Sequence, residues 1–518
     1  MHHVPSKYQN DLYNWVETGT GSAIVKAVAG SGKTSSLIES IKRMAGRIIV
    51  LAFNTKIKYD IGNKVEKLFM PNVTVSTFHA ICLQALKKSR ARIFVDGDKV
   101  RKIIDELIHN DKEDQIKFIA GFINRLVTLA KDSAFGVSGQ TSITDFDAWD
   151  ALATHHDLDL EDCDIDRKGA IELCMEVLKL SNQDRQTVDF SDMIYHVLLF
   201  NIDTPKFDWV LVDEAQDTNT SRLLVCVKLK ADNGRLIAVG DDAQAIYGFT
   251  GSDSDSLNTI QKTFDAIVLP LSICYRCAKS IVTKAQEILP EIEAFESNGE
   301  GTVTNMDYEK FLDAVPEYNL NYKDGIICRN NAPLIPLAFG LIRKGVSCRI
   351  EGKDIGNQLA QYTRKWKDRG LQDFMEKFTN FIDKDIDKAT EKKNQQKVGA
   401  LVDKKNCMLA LIDRCFSLGQ TTVQCLQKLI LDMFSDSESG KIRTDILVLS
   451  SVHKSKGLEW DRVFILGYSQ FMPSKYAVLP WQQVQENNLR YVSVTRAKNE
   501  LIFVDNVPTG NKKDEQKP

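Results

Sequence analysis

The sequence predicts an α/β fold with two parallel sheets, each interrupted by a helical insertion. Three observations predict it. Strand-like apolar runs fall into two groups with helical patterns between them, as crossover-connected parallel sheets require. Two stretches, 81–199 and 359–437, carry helical patterns with little β signal. A glycine-rich turn, Ala27-Val-Ala-Gly-Ser-Gly-Lys-Thr34, stands between an apolar run and a helical pattern, the strand–loop–helix context of a P-loop.

The first group of runs comprises 23–29, 48–53, 73–76, 209–213, 236–240 and 267–269. The second comprises 325–329, 347–351, 446–450, 463–467 and 501–504. The expected domains follow. Residues 1–80 and 200–280 form the first sheet domain, with 81–199 as its helical insertion. Residues 281–358 and 438–507 form the second, with 359–437 as a reduced insertion. The interleaved Lys and Asp of 383–405 read as a solvated helix face. The polar tail 508–518 is expected to be disordered. No repeat of fixed period runs through the chain.

Composition bounds the function. The chain has 518 residues, 43% hydrophobic and 26% charged, ordinary for a globular protein of several domains. No apolar run reaches the roughly 18 residues of a membrane span, and the N-terminus lacks a signal-peptide core. Net charge is −3, so a nucleic-acid site must be a local patch or groove. The 11 cysteines, odd in number and without repeated spacing, read as reduced thiols of a cytoplasmic chain. Cys274 and Cys277 form an isolated C-x-x-C whose intervening residues have another use.

The chemistry begins at the glycine-rich turn. Backbone N–H groups along Ala29, Gly30, Ser31 and Gly32, and those of the following helix with Lys33, Thr34 and Ser35, would surround the phosphates of ATP. Lys33 would neutralise the β and γ phosphates, and the Thr34 hydroxyl would hold Mg²⁺. Ala27 replaces the first glycine of the general pattern. A second signature, Val212-Asp-Glu-Ala-Gln-Asp217, ends a buried strand with carboxylates, where ligands bind in open α/β sheets. Asp213 would bind Mg²⁺, and Glu214 would orient and deprotonate the attacking water.

Further segments fall in a fixed order. They are Tyr8-Gln9, Leu51-Ala-Phe-Asn-Thr-Lys56, Ser76-Thr-Phe-His-Ala80, Val239-Gly-Asp-Asp-Ala-Gln-Ala-Ile-Tyr-Gly-Phe249 and Leu271-Ser-Ile-Cys-Tyr-Arg276. Late in the chain stand Ser451-Val-His-Lys-Ser-Lys-Gly-Leu-Glu-Trp460 and Tyr491-Val-Ser-Val-Thr-Arg-Ala497. Together they resemble superfamily 1 DNA helicases of the UvrD/Rep/PcrA type, over residues 8 to about 505.

That resemblance implies two RecA-like P-loop domains and an ATP-dependent helicase moving 3′→5′ on single-stranded DNA. Gln9 resembles the glutamine that reads adenine, Tyr275 the aromatic that stacks on the base, and Glu459 the glutamate on the ribose hydroxyls. Arg276 and Arg496 resemble two arginine fingers on opposite domains, which would tie hydrolysis to closure. Gln244 resembles the γ-phosphate sensor. Phe53, Thr77, His79, Tyr247, Phe249 and His453 match single-strand contacts, which need stacking faces and no base readout. The implied partners are single-stranded DNA, its junctions with duplex, and replication or repair proteins, with the chain a monomer or weak oligomer.

Departures from the family pattern are specific. Ser35 stands where relatives usually carry arginine, and Phe249 where they more often carry tryptophan. Gln485-Glu-Asn-Asn488 replaces an acidic-then-basic pairing, with Arg490 the basic residue nearby. The shortened interval between Arg276 and His453 supports an alternative reading, a translocase that strips bound proteins with little unwinding. The intact set Lys33, Asp213, Glu214, Gln244, Arg276 and Arg496 argues against a non-hydrolysing scaffold.

Overall fold

The computed structural model describes residues 4–508, apart from 91, 108–112, 159, 161–164, 247, 249–254, 345, 366–369, 393 and 436–445. The tail expected to be disordered therefore lies outside the described residues beyond 508. Two compact units divide the chain, Met1–Ser272 and Ile273–Pro518.

The first unit holds a six-stranded, all-parallel sheet. Its strands are β1 (Ala23–Ala27), β2 (Ile48–Ala52), β3 (Val73–Thr77), β4 (Phe207–Val212), β5 (Lys230–Gly240) and β6 (Ile267–Leu271). They lie in the order β3-β2-β4-β5-β1-β6. β2 is buried along its whole length, as a strand with helices on both faces must be. The core on one side joins Ile49, Leu51, Val210 and Val212 to Phe78 and Leu86. On the other side Val25, Val50 and Leu211 meet Leu12, Leu37 and Ile61. Between β3 and β4 the described residues form six helices, from Phe78–Ser89 to Phe190–Leu199, with a separate core around Trp149 and Tyr195.

The second unit's main sheet has seven parallel strands among the described residues. They are β7 (Thr302–Asp307), β8 (Asp324–Cys328), β9 (Cys348–Glu351), β10 (Phe434–Ser435), β11 (Leu447–Ser451), β12 (Trp460–Leu466) and β13 (Ala497–Asp505). Their order is β7-β13-β12-β8-β11-β9-β10. Four helices, Lys353–Lys365, Leu371–Glu391, Gln395–Ser417 and Val423–Met433, separate β9 from β10. The sequence did not mark β7 or β10. β7 is a polar edge strand with no fully buried residue, and β10 is two residues long.

The division at Ser272 falls before the expected boundary at 280. Ile273–Cys274 pairs with Glu293–Ala294, and the Ala278 N–H donates to Lys498 O at 2.7 Å. These contacts tie the Tyr275–Arg276 segment to the second unit, so Arg276 and Arg496 share one unit rather than standing on opposite ones. No helix among the described residues is long and apolar enough to cross a membrane. The cysteines among the described residues are free thiols.

Candidate nucleotide and nucleic-acid site

The six strands of the first unit's main sheet are parallel, so their C-terminal ends share one edge, and the predicted side chains follow those ends. Gly30 and Gly32 after β1 have φ of 70° and 78°, which L side chains rarely adopt. Gly32 is the N-cap of the helix Lys33–Ile41 and supplies no side chain to its first N–H groups. Ser31 Oγ is buried without a hydrogen-bond partner. Open N–H groups and an orphaned hydroxyl fit a bound polyphosphate. The Lys33 ammonium donates to Ala27 O at 3.2 Å and lies 3.7 Å from Asp241 Oδ2. Thr34 is half-buried beside it and Ser35 is exposed.

Gln9 reaches this helix from the preceding one. Its Oε1 accepts the Ser6 N–H at 3.0 Å, closing a capping box, and its Nε2 donates to Ser36 Oγ at 3.0 Å. Its amide thereby anchors the helix Lys7–Thr18 to the P-loop helix.

The carboxylates follow β4. Asp213 is buried, and desolvation together with the neighbouring Glu214 charge pushes its carboxyl well above the usual range, against the pull of Lys33. A buried carboxyl raised in this way fits a divalent cation, whose charge would restore the carboxylate; Thr34 and Asp213 are the residues that would hold Mg²⁺. Glu214 has φ 52°, a left-handed backbone uncommon outside glycine. Its Oε2 accepts from Gln216 Nε2 at 2.5 Å, while Gln216 Oε1 accepts the Asp241 N–H at 3.0 Å. Asp241 Oδ2 in turn accepts from Gln244 Nε2 at 2.6 Å. Burial raises the Asp241 carboxyl too. Lys33, Asp213, Glu214 and Gln244 thus lie in one connected set. Gln216 and Asp241, to which the sequence assigned no role, are its connectors; both lie inside segments already singled out.

Phe53 follows β2, Thr77 ends β3, and His79 is in the helix that Thr77 caps, its hydroxyl accepting the Ala80 N–H at 3.2 Å. The Arg222 guanidinium sits 4.8 Å from the Phe53 ring centroid. Burial, with the Arg222 charge, holds the His79 pKa at about 4, so its imidazole is neutral near pH 7. Tyr247 and Phe249 lie outside the described residues.

In the second unit the Tyr275 ring packs 4.8 Å from Phe295. Arg276 Nε lies 2.6 Å from Glu459 Oε2, and its Nη1 donates to Thr495 O at 3.3 Å. Lys498 holds the other Glu459 oxygen at 2.8 Å. Burial raises the Glu459 carboxyl, but Lys498 and Arg276 outweigh it and keep it below the usual range. Arg496 is buried, donating to Val492 O and Leu458 O at 3.0 Å each. Desolvation, then the Arg276 charge, lowers its pKa to about 10, which leaves it cationic near neutral pH. His453 is half-buried and held neutral by burial and Arg329, with a pKa of about 3. In Gln485-Glu-Asn-Asn488, Glu486 pairs with Arg329 at 2.6 Å, and Arg490 donates to Met472 O. Those residues hold the unit together.

Two parallel-sheet α/β units, the first with a P-loop after β1 and a buried carboxylate, Asp213, after β4 two strands away, define a P-loop nucleotide-binding protein of two RecA-like domains. Residues 9–265 match the UvrD/REP helicase N-terminal domain and residues 353–506 the UvrD-like helicase C-terminal domain. The chain belongs to the UvrD/REP helicase family. It is 24% identical to the ATP-dependent DNA helicase PcrA of Staphylococcus aureus over 58% of this chain and 42% of that one. Against the Bacillus subtilis PcrA it is 26% identical, over 53% of this chain and 38% of that one. The matched region thus spans less than half the length of these relatives. A probable DNA helicase II homolog of Mycoplasma pneumoniae is 23% identical over 94% of this chain and 82% of its own.

Proposed function

We propose that this chain is an ATP-dependent DNA helicase that translocates 3′→5′ on single-stranded DNA and unwinds duplex, acting in replication, repair or recombination. The observation that carries the reading is the connected set Lys33–Asp241–Gln216–Glu214, on the same sheet edge as Phe53 and His79. A phosphate-binding turn and a set of stacking residues on one rigid sheet suit a motor whose hydrolysis answers to its track.

In this reading the loop 29–32 and Lys33 bind the phosphates of ATP, with Thr34 and Ser35 opening the helix behind them. Thr34 and Asp213 would hold Mg²⁺, which would supply positive charge for the transferring phosphoryl group. Glu214, its carboxylate fixed by Gln216, orients the attacking water and takes its proton. Gln244 reports the γ-phosphate through Asp241. Arg276 and Arg496 carry the positive charge that the family resemblance assigns to the developing phosphate charge, and Tyr275 and Glu459 serve base and ribose. Gln9 holds the P-loop helix through Ser36, and the resemblance assigns it to the adenine edge. Phe53, Thr77, His79, Tyr247, Phe249 and His453 are the residues that the resemblance assigns to the single strand. The protein works in the cytoplasm or on the nucleoid, or in the nucleus or host cytoplasm, as a monomer or weak oligomer.

The test is ATP-driven unwinding of 3′-tailed and 5′-tailed duplexes, with Lys33→Ala as control. Unwinding from the 3′ tail alone, lost in Lys33→Ala, is expected; unwinding from 5′ tails alone would overturn the polarity. The shortness of the insertion between β9 and β10 favours one second reading, a translocase that displaces bound proteins with little processive unwinding. Streptavidin displacement without strand separation would establish it.

A further inference from the structure

Arg222 was not among the residues singled out from sequence, yet it touches both halves of the proposed machinery. It lies in the first turn of the helix Thr220–Leu229, where its own N–H donates to the N-cap Asn219 at 2.9 Å. Its guanidinium stands 4.8 Å from the Phe53 ring centroid and 5.9 Å from that of Phe78, the residue before His79. Its Nη1 donates to the backbone oxygen of Asp217 at 3.0 Å, at the end of the segment that begins with Asp213 and Glu214. Its Nε is buried without a hydrogen-bond partner. Asp132, from the helical insertion, and Asp217 face it with negative charge. A guanidinium is costly to bury, and the capping bond uses the backbone N–H, which any side chain would leave in place. What this position uses is the planar fork, which stacks on one ring and hydrogen-bonds in its own plane at the same time.

The strand order explains why such a link is needed. β4, which carries Asp213 and Glu214, lies next to β2, which carries Phe53; β3, which carries Thr77, is one strand further. We infer that Arg222 is the positioning residue that couples single-strand binding at Phe53 and His79 to the carboxylate segment 213–217. A base stacking on Phe53 sets the tilt of that ring. The ring sets the guanidinium, and the guanidinium sets the Asp217 carbonyl and the turn behind Glu214. The inference rests on the helicase reading, because it presumes a single strand on Phe53.

The experiment measures ATP hydrolysis against oligothymidylate concentration for wild type, Arg222→Gln and Arg222→Lys, with thermal melting as the check on folding. Lysine keeps the charge and lacks the planar face. Both variants are expected to need roughly tenfold more oligothymidylate for half-maximal stimulation, the loss of about one stacking contact. Their KM for ATP without DNA is expected to change by less than about twofold. A folded Arg222→Lys stimulated at the wild-type concentration overturns the inference. So does an equal rise in both constants, which a merely structural role would give. A wild-type chain that hydrolyses ATP without any response to oligothymidylate overturns the helicase reading, and the coupling with it.

Discussion

Gln216→Leu isolates the connection between the two carboxylates. Gln216 is 1% exposed, and both ends of its amide are used: Nε2 to Glu214 at 2.5 Å, Oε1 from the Asp241 N–H at 3.0 Å. The site leaves it no slack, since a Cβ on Gly240 would lie 2.7 Å from Oε1. Leucine keeps the volume and removes both bonds. The orphaned Asp241 N–H costs about 1–3 kcal/mol, and Glu214 loses a charge-assisted donor but can turn to water. The sum is about 3 kcal/mol, which in a unit of this size lowers the melting temperature by roughly 9 °C. The chemical effect is separate. A general base displaced by about 1 Å loses about 10²-fold in rate. Steady-state ATP hydrolysis at saturating oligothymidylate should show that fall in kcat, with KM for ATP nearly constant because Lys33 and the glycine turn are untouched. A folded Gln216→Leu with wild-type kcat would refute the role given to this bridge.

Lys131 is fully buried, with its ammonium 2.6 Å from Asp189 and 2.7 Å from Asp192. Lys131→Met leaves Lys99 as the remaining cation on Asp192, at 2.8 Å, and should destabilise the first unit by about 3–5 kcal/mol, read from its urea midpoint. The ring nitrogens of His196 beside them have no hydrogen-bond partner among the described residues, and burial drops its pKa from 6.5 to about 3. Its folded value lies below the unfolded one, so the native state binds fewer protons and stability falls as pH drops from 6.5 toward 3. Between pH 7 and pH 5 that loss is about 2 kcal/mol, and urea midpoints of His196→Asn should lack it. Lys33→Ala should abolish ATP hydrolysis while leaving the melting temperature near that of wild type, since its ammonium makes one carbonyl bond and one distant ion pair.

The sequence made the central strands legible because a parallel strand buried on both faces is a continuous apolar run, as in Ile48–Ala52. It hid Thr302–Asp307 because an edge strand need not bury its side chains, and this one does not. β5 begins earlier than its apolar run, its first residues Lys-Ala-Asp-Asn-Gly being half-buried or exposed. The boundary between the units was misplaced because pairing of Ile273–Cys274 with Glu293–Ala294 is tertiary and leaves no local signal. Lys33, Thr34, Asp213 and Glu214 could be singled out because the phosphate and cation chemistry proposed for them ties residue type to spacing. Gln216, Asp241 and Arg222 were not. Their roles depend on which strand lies beside which, and only the sheet order supplies that.

That order has a mechanical consequence. From the β2 end, with Phe53, the edge runs through β4 and β5 to β1, with Lys33. Three strand spacings separate them, about 14 Å, too far for Phe53 to touch the phosphate-binding residues. Any influence of a bound strand on hydrolysis within this unit must therefore cross the turns after β4 and β5. Two connections bridge that path. Arg222 joins Phe53 to Asp217 at the β4 turn, and Gln216 joins that turn to Asp241 after β5, within 3.7 Å of Lys33. On the coupling inferred above they act in series, so cutting either should raise the oligothymidylate concentration needed for half-maximal stimulation. Once one is cut, cutting the other should add little to that rise. The double variant Arg222→Lys/Gln216→Leu therefore serves as a thermodynamic cycle. A half-maximal concentration no higher than in the worse single variant is the expected result, and multiplicative rises would mean that the two residues act on separate routes.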